Sequence, residues 1–286
     1  MLECLPLELV VGILRHAAEI FLSTERQTVV ALAQTAKLVY NVVAPILYRR
    51  IVVTQANVNL LGAFFRNLDL SPLVRHLALT APEWTPPEDV IVRWTQLQSL
   101  TGAAAPIQFV LNHLGPVGRM SLTKIQYWNS PLLDNVPPSV THACIYVGDA
   151  DNHHSFRAVV GWIDALPALT HVAIELVARN GTREREWPSV ALSLDESLVA
   201  VLRNKGGRQI QRLSIRLGGK LAEEAFWLAF VDRLRLQTGH SAGDPRIELW
   251  RDQRVVTDFE DDVRASIQDA YAGVDVWTES RPLTEV

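Results

Sequence analysis

Cysteine is almost absent: Cys4 and Cys144 are the only two in 286 residues. That is too few for a disulfide framework, and no Cys-x-x-Cys spacing is present to hold zinc. A reducing compartment, cytoplasmic or nuclear, is the expectation. Lysine is scarce as well, with Lys37, Lys124, Lys205 and Lys220 the only four among 27 basic residues. Arginine-rich usage beside abundant Ala and Val is the ordinary mark of codon bias. No positive excess exists, since the formal net charge is −4, so nothing global attracts nucleic acid or an anionic membrane. Residues 28–47 approach membrane-spanning length, but Gln34, Lys37 and Asn41 interrupt them at mid-depth, which reads as a buried helix and no membrane partner. Met1-Leu2-Glu3 carries an acid where a secretory leader needs positive charge. The sequon Asn180-Gly181-Thr182 means little without a secretory route. Gly206-Gly207 and Leu217-Gly218-Gly219-Lys220 fit no phosphate loop and read as turns; neither Gly-x-Gly-x-x-Gly nor Gly-x-Ser-x-Gly occurs. No cofactor and no active site are expected.

What is present describes a globular chain: 48% hydrophobic, 20% charged, with eight Trp, enough for one large domain or two small ones. Residues 5–50 show a helical apolar period. Leu9, Ile13 and Leu14 lie on one face, Val30, Ala33 and Leu38 follow, and Ser23-Thr24-Glu25 offers cap residues between the two runs. Pro6 suits a first helical turn, and Pro45 is expected to end or kink a helix just before it. The outcome is a three-helix unit of about fifty residues, close to the ~40-residue lower limit for unassisted folding. It carries more apolar positions than its own core can hide, so the rest must be covered by the chain or by a partner.

Beyond residue 70 the pattern changes to apolar-x-x-apolar-x-apolar. It occurs at Val74-Arg-His-Leu77-Ala-Leu79, Val117-Gly-Arg-Met120-Ser-Leu122, Val140-Thr-His-Ala143-Cys-Ile145, Leu169-Thr-His-Val172-Ala-Ile174 and Ile210-Gln-Arg-Leu213-Ser-Ile215; Leu97-Gln-Ser-Leu100-Thr-Gly102 keeps two of the three apolar positions. From 74 through 97, 117, 140 and 169 to 210, the intervals are 23, 20, 23, 29 and 41. The first three fall within the ~20–29 residues of a leucine-rich repeat, and the fourth reaches its limit. An alternating tail makes a short strand whose inward side chains stack on the next unit. Helical candidates at 87–94, 106–114, 153–165 and 195–204 lie between the strands, which argues an α/β architecture with a parallel sheet lining an irregular solenoid. A doubly wound α/β domain is the structural alternative. After Leu221 the register is lost: 221–236 reads as an amphipathic helix, 246–250 as a last strand and 259–271 as a closing helix, together a C-terminal cap.

Leu5-Pro6-Leu7-Glu8-Leu9 with Ile13-Leu14, the run Val30 to Tyr40, and Pro45-Ile46-Leu47-Tyr48-Arg49-Arg50-Ile51 together resemble an F-box. The whole chain looks like the fungal F-box proteins with irregular leucine-rich repeats, divided here into residues 1–55 (F-box-like unit) and 56–286 (repeats and cap). The resemblance implies binding of the Skp linker protein and, through it, a cullin. It implies that Leu5 and Pro6 dock the linker, that Leu9, Ile13 and Leu14 supply anchors, and that Leu32, Leu38 and Leu47 divide between the unit's core and that interface. The implied activity is substrate-recognition adaptor of a ubiquitin ligase, with the repeats holding an unknown target protein. A repeat scaffold that recruits no ligase is the other reading, and in it Leu9 and Ile13 are covered by the chain itself.

Few residues suggest chemistry. Asp149-Ala-Asp-Asn-His-His154 has a metal-like composition, but adjacent histidines on a helix diverge by about 100°, so a helix cap at Asp151 or Asn152 is the better account. Arg179, Arg183, Glu184, Arg185 and Glu186 form a mixed-charge loop, read as solvated. His76, His142 and His171 share one repeat position with Arg119 and Arg212, just before the second apolar residue. Period-two alternation turns that position away from the core, together with Ala78, Thr101, Ser121, Cys144, Ala173 and Ser214. These five basic residues are the candidate target face, and solvated strand positions are the simpler account. Cys144 is left between two descriptions, a buried inert thiol and a member of the exposed stripe.

Overall fold

A computed structural model of the chain describes residues 6–61, 71–81, 84–122, 124–128, 133–148, 161–178, 202, 210–238, 244–252 and 280–283. Three helices come first: α1 (Leu7–Thr24), α2 (Arg26–Ala33) and α3 (Lys37–Leu47). Pro6 is the residue before α1, and its carbonyl accepts from the Leu9 and Val10 amides at 3.0 and 3.2 Å. Ser23 and Thr24 close α1 rather than starting α2. Glu25 takes the place before α2, where its carboxylate accepts the Thr28 hydroxyl at 3.0 Å. Pro45 does not end α3, which continues to Leu47. The hydrogen bond that proline forfeits is the one to the Asn41 carbonyl, and both residues are exposed. The turn then closes normally through Tyr48 N–H to Ala44 O at 2.9 Å. Ala18, Val29, Ala33, Val43 and Leu47 form the small core of this unit.

Among the described residues a nine-stranded sheet follows, with strands in strict chain order. They are β1 (Arg50–Val53), β2 (His76–Leu79), β3 (Ser99–Ala103), β4 (Lys124–Trp128), β5 (His142–Gly148), β6 (His171–Ala178), β7 (Arg212–Gly219), β8 (Ile247–Arg251) and β9 (Arg281–Pro282). Neighbours are parallel from β1 to β8, and β9 is antiparallel to β8. A doubly wound sheet reverses its strand order about a middle strand; among the described residues the order has no such reversal, which overturns that alternative. The helices whose whole range is described between and after the strands are α4 (Glu88–Ile91), α5 (Ala104–His113), α6 (Pro116–Ser121) and α7 (Glu224–Thr238); residues 58–61 and 161–164 are helical as well.

Inward side chains stack in register. Ile51, Leu77, Leu100, Ile125, Ala143, Val172, Leu213 and Ile247 form one row across eight strands. Trp94 and the helix residues Ile91, Ile107, Leu111, Phe230 and Leu234 cover that face and share its core. At ~1.5–3 kcal/mol for each large apolar side chain buried, this stack carries most of the fold's stabilisation. Gly102 explains the incomplete motif that starts at Leu97: it sits in the next inward row beside Leu79, whose carbonyl oxygen would lie 2.5 Å from an added Cβ. Each unit enters its strand through a tight turn. Val74, Val140 and Leu169 donate to the carbonyls of Ser71, Pro137 and Leu166 at 3.1–3.3 Å.

Several expectations are corrected. Residues 117–122 do not form a strand; Pro116 follows Gly115 at the start of α6, and the strand begins at Lys124. The motif instead fits Leu122-Thr-Lys-Ile125-Gln-Tyr127, with Leu122 and Ile125 fully buried, while Val117 and Met120 are 60% and 73% exposed. Arg50–Val53, placed by sequence in the helical unit, is the first strand of the sheet. Register is not lost after Leu221, because β8 pairs in phase with β7, Leu213 opposite Ile247. Residues 149–160, 179–201, 203–209, 253–279 and Leu5 lie outside the described set, and with them the Asp-Asn-His cluster, the mixed-charge loop and the helix expected over 259–271. No helix among the described residues is long and apolar enough to cross a membrane.

Candidate functional site

Two surfaces hold the residues singled out by sequence. The first is the outer side of α1. At about 100° per residue, Leu9, Ile13 and Ile20 fall within about 40° of each other, and Ala18, fully buried, lies on the opposite side. They are 54%, 59% and 50% exposed. Pro6 and Leu38 are exposed too; Leu14 and Leu32 are half-buried, and Leu47 belongs to the unit's core. Phe21 and Val30 extend the exposed apolar surface. Ile20 had a sequence signal, since Leu9 to Ile13 to Ile20 is one stripe of a 3.6-residue period; Phe21 lies about 100° further round α1 and Val30 is on α2.

The second is the sheet face turned away from the helices. Arg50, His76, Ser99, Lys124, His142, His171 and Arg212 stand side by side across β1 to β7. His76, His142, His171 and Arg212 occupy the expected positions. Arg119 does not: it lies on α6, and its guanidinium donates to the carbonyls of Leu111, Asn112 and Leu114 at 3.0–3.3 Å, closing the end of α5. Lys124 holds the register place expected of Arg119, and Arg50 adds a member at β1. The His142 and His171 rings are stacked, with centroids 4.2 Å apart and planes at 14°. Each ring has its Nδ1 2.8 Å from the hydroxyl of the preceding threonine, Thr141 or Thr170. Burial lowers the His171 pKa, the Arg212 charge adds to this, and Glu248 opposes it. Arg212 pairs with Glu248, which also accepts the Ser280 hydroxyl at 2.8 Å.

The neighbouring row is not the exposed stripe that alternation predicts. Ala78, Cys144, Ala173 and Ser214 are buried although they point away from the helices. Cys144 is therefore both an outer-face residue and a buried one, packed with Ala173 against Trp250. Its thiol donates to the Glu175 carboxylate at 3.3 Å.

One row further lies a cluster that sequence reading missed. Glu175, Arg216 and Trp250 are register neighbours on β6, β7 and β8, and Asp252 follows on the same face. Arg216 Nη1 donates to Glu175 at 2.6 Å and Nε donates to Asp252 at 2.9 Å. Its guanidinium carbon lies 4.9 Å from the Trp250 ring centre. Side-chain exposure is 1% for Arg216, 4% for Glu175 and 3% for Asp252. The signal existed: Ile174-Glu175-Leu176 and Ile215-Arg216-Leu217 place opposite charges at one repeat position between apolar residues. No grouping of three or more His, Cys, Asp or Glu among the described residues is arranged to hold a metal. The stacked imidazoles do not converge on a common point either.

No family model, no characterised protein and no solved structure matches the chain. The described residues form a mixed α/β chain with a three-helix unit, an apolar outer helix face and a sequentially ordered, mostly parallel sheet whose second face carries the row from Arg50 to Arg212.

Proposed function

We propose that the chain is a substrate-recognition adaptor of a Skp–cullin–F-box ubiquitin ligase, working in the cytoplasm or nucleus. In this reading the three helices are an F-box and the strand–helix units an irregular leucine-rich-repeat solenoid. The adaptor has no chemistry of its own; joining a target to the ligase raises the effective concentration of target lysines near the conjugating enzyme. The scarcity of lysine in the chain suits a protein held beside that enzyme.

The observation that carries the reading is the exposure of Leu9 and Ile13 on the first helix, in a unit whose motif already resembles an F-box. Isolated exposed leucines are ordinary, but a stripe of Leu9, Ile13 and Ile20 along one helix face marks an interaction surface. A scaffold that recruits no ligase would have these residues covered by its own chain, and they are open.

Co-purification with the Skp linker tests this. The unaltered chain forms the complex, and Leu9→Asp with Ile13→Asp abolishes it while leaving the circular dichroism spectrum unchanged. Failure of the unaltered chain to bind, or binding that survives both substitutions, overturns the proposal.

A further inference from the structure

The exposed stripe of α1 is not wholly apolar. His16, itself exposed, lies between Ile13 and Ile20. At about 100° per residue it falls between about 20° and about 60° around the helix from Leu9, Ile13 and Ile20, and at ~1.5 Å per residue it is ~4.5 Å along the axis from Ile13 and ~6 Å from Ile20. A surface that covers both isoleucines therefore lies over the imidazole as well. We infer, on the adaptor reading of this face, that His16 makes docking of the Skp linker sensitive to pH: the linker seats on the neutral imidazole and is released when the ring takes up a proton.

Desolvation sets the sign. Covering an imidazole with apolar surface costs it some water, but an imidazolium loses far more, so burial without a countercharge disfavours the charged form. The charged groups nearest it on α1 are Arg15, the preceding residue, and Glu19 one turn on, both exposed. Glu19 is turned about 80° from Leu9 and about 100° from Ile20, so its carboxylate stands outside the covered strip. α2 and α3 pack on the side of α1 that carries Ala18, about 160° round the helix from His16; their ionisable groups are Arg26, Lys37 and Tyr40. Docking strength is therefore complete at slightly alkaline pH and falls on acidification through the range in which histidine charges.

Isothermal titration of the full chain with the purified Skp linker at about pH 7.5 and about pH 5.5 tests this. Excluding the imidazolium from the complex raises the Kd about tenfold over that interval. His16→Leu removes this share, so its ratio of Kd at the lower pH to Kd at the higher is about tenfold smaller than that of the unaltered chain. The linker's own titrating groups, and acid effects on the fold itself, are common to both chains and cancel. His16→Arg carries a charge that does not titrate in this range and binds weakly at both pH values. Circular dichroism at each pH shows that the unaltered chain and both variants are folded. Equal ratios for the unaltered chain and His16→Leu, or His16→Arg binding as tightly as the unaltered chain at the higher pH, overturn the inference while the linker stands as partner. Absence of any complex at the higher pH removes the adaptor reading and the pH switch with it.

Discussion

Replacing Arg216 by Met should unfold the chain at markedly lower denaturant. The guanidinium is enclosed with two carboxylates whose side chains are 4% and 3% exposed. Deleting the cation leaves both carboxylates buried beside each other, and breaking a buried pair in this way costs ~3–5 kcal/mol. Loss of the guanidinium over Trp250 adds ~0.5–2 kcal/mol. Against a total stability of ~5–15 kcal/mol this is a large fraction. In urea, with a slope near ~3 kcal/mol/M, a ~4 kcal/mol loss moves the midpoint by more than ~1 M. Exchanging all three charged residues together for apolar ones, Glu175→Met, Arg216→Met and Asp252→Leu, should come close to the stability of the unaltered protein, because the desolvation of every ion disappears at once. Equilibrium unfolding followed by tryptophan fluorescence is the assay. A midpoint shift below ~0.3 M for Arg216→Met, with an unchanged slope, refutes the picture of a dry cluster.

Three further outcomes follow from the packing. Gly102→Ala forces a Cβ to within 2.5 Å of the Leu79 carbonyl and should cost ~1–3 kcal/mol, read as a lowered thermal midpoint; an unchanged midpoint would show that β2 and β3 separate freely. Leu9→Asp, on the exposed face of α1, should stay within ~0.5 kcal/mol of the parent, whereas Leu47→Ala in the buried core of the helical unit should lose ~2–5 kcal/mol; equal losses would place Leu9 in the core. His171 has its folded-state pKa held below the usual histidine value by burial. Its contribution to stability is complete above that usual value and is lost as pH falls through the lowered one. His171→Gln should therefore flatten the fall in thermal midpoint between pH 7.5 and about pH 5, and an equally steep fall in the variant would assign the acid sensitivity elsewhere.

Much of the architecture was legible because the sheet repeats one motif. Val74, Leu97, Val140, Leu169 and Ile210 each precede the strand they announce. The third unit misleads because two windows five residues apart fit the motif, one from Val117 and one from Leu122, and only Pro116 after Gly115 marks the first as a helix start. β1 is hidden because its Tyr48-x-x-Ile51-x-Val53 follows a helix without a gap; β8 reads as a strand over 246–250 but outside the repeat, because Asp244 stands where the other units have an apolar residue. On the sites, alternation correctly turned the histidines away from the core but equated "away from the helices" with "exposed". Cys144, Ala173 and Ser214 show that the second face has its own packing. The Glu175–Arg216–Asp252 cluster depends on side chains 36 and 41 residues apart meeting across strands, and no local window contains that distance.

The shortest strand has a consequence out of proportion to its length. A sheet of parallel strands in chain order ends in a row of unsatisfied backbone groups, a template onto which any further strand can add. β9 lies along that last edge in the opposite direction, with Pro282 facing Glu248 and Arg281 facing Leu249. Proline has no amide hydrogen to offer a newcomer, and the reversed polarity breaks the pattern that another parallel unit would need to continue. Two residues thus terminate a structure that could otherwise propagate from one molecule to the next, and keep the growing end of the sheet from becoming the start of a fibre.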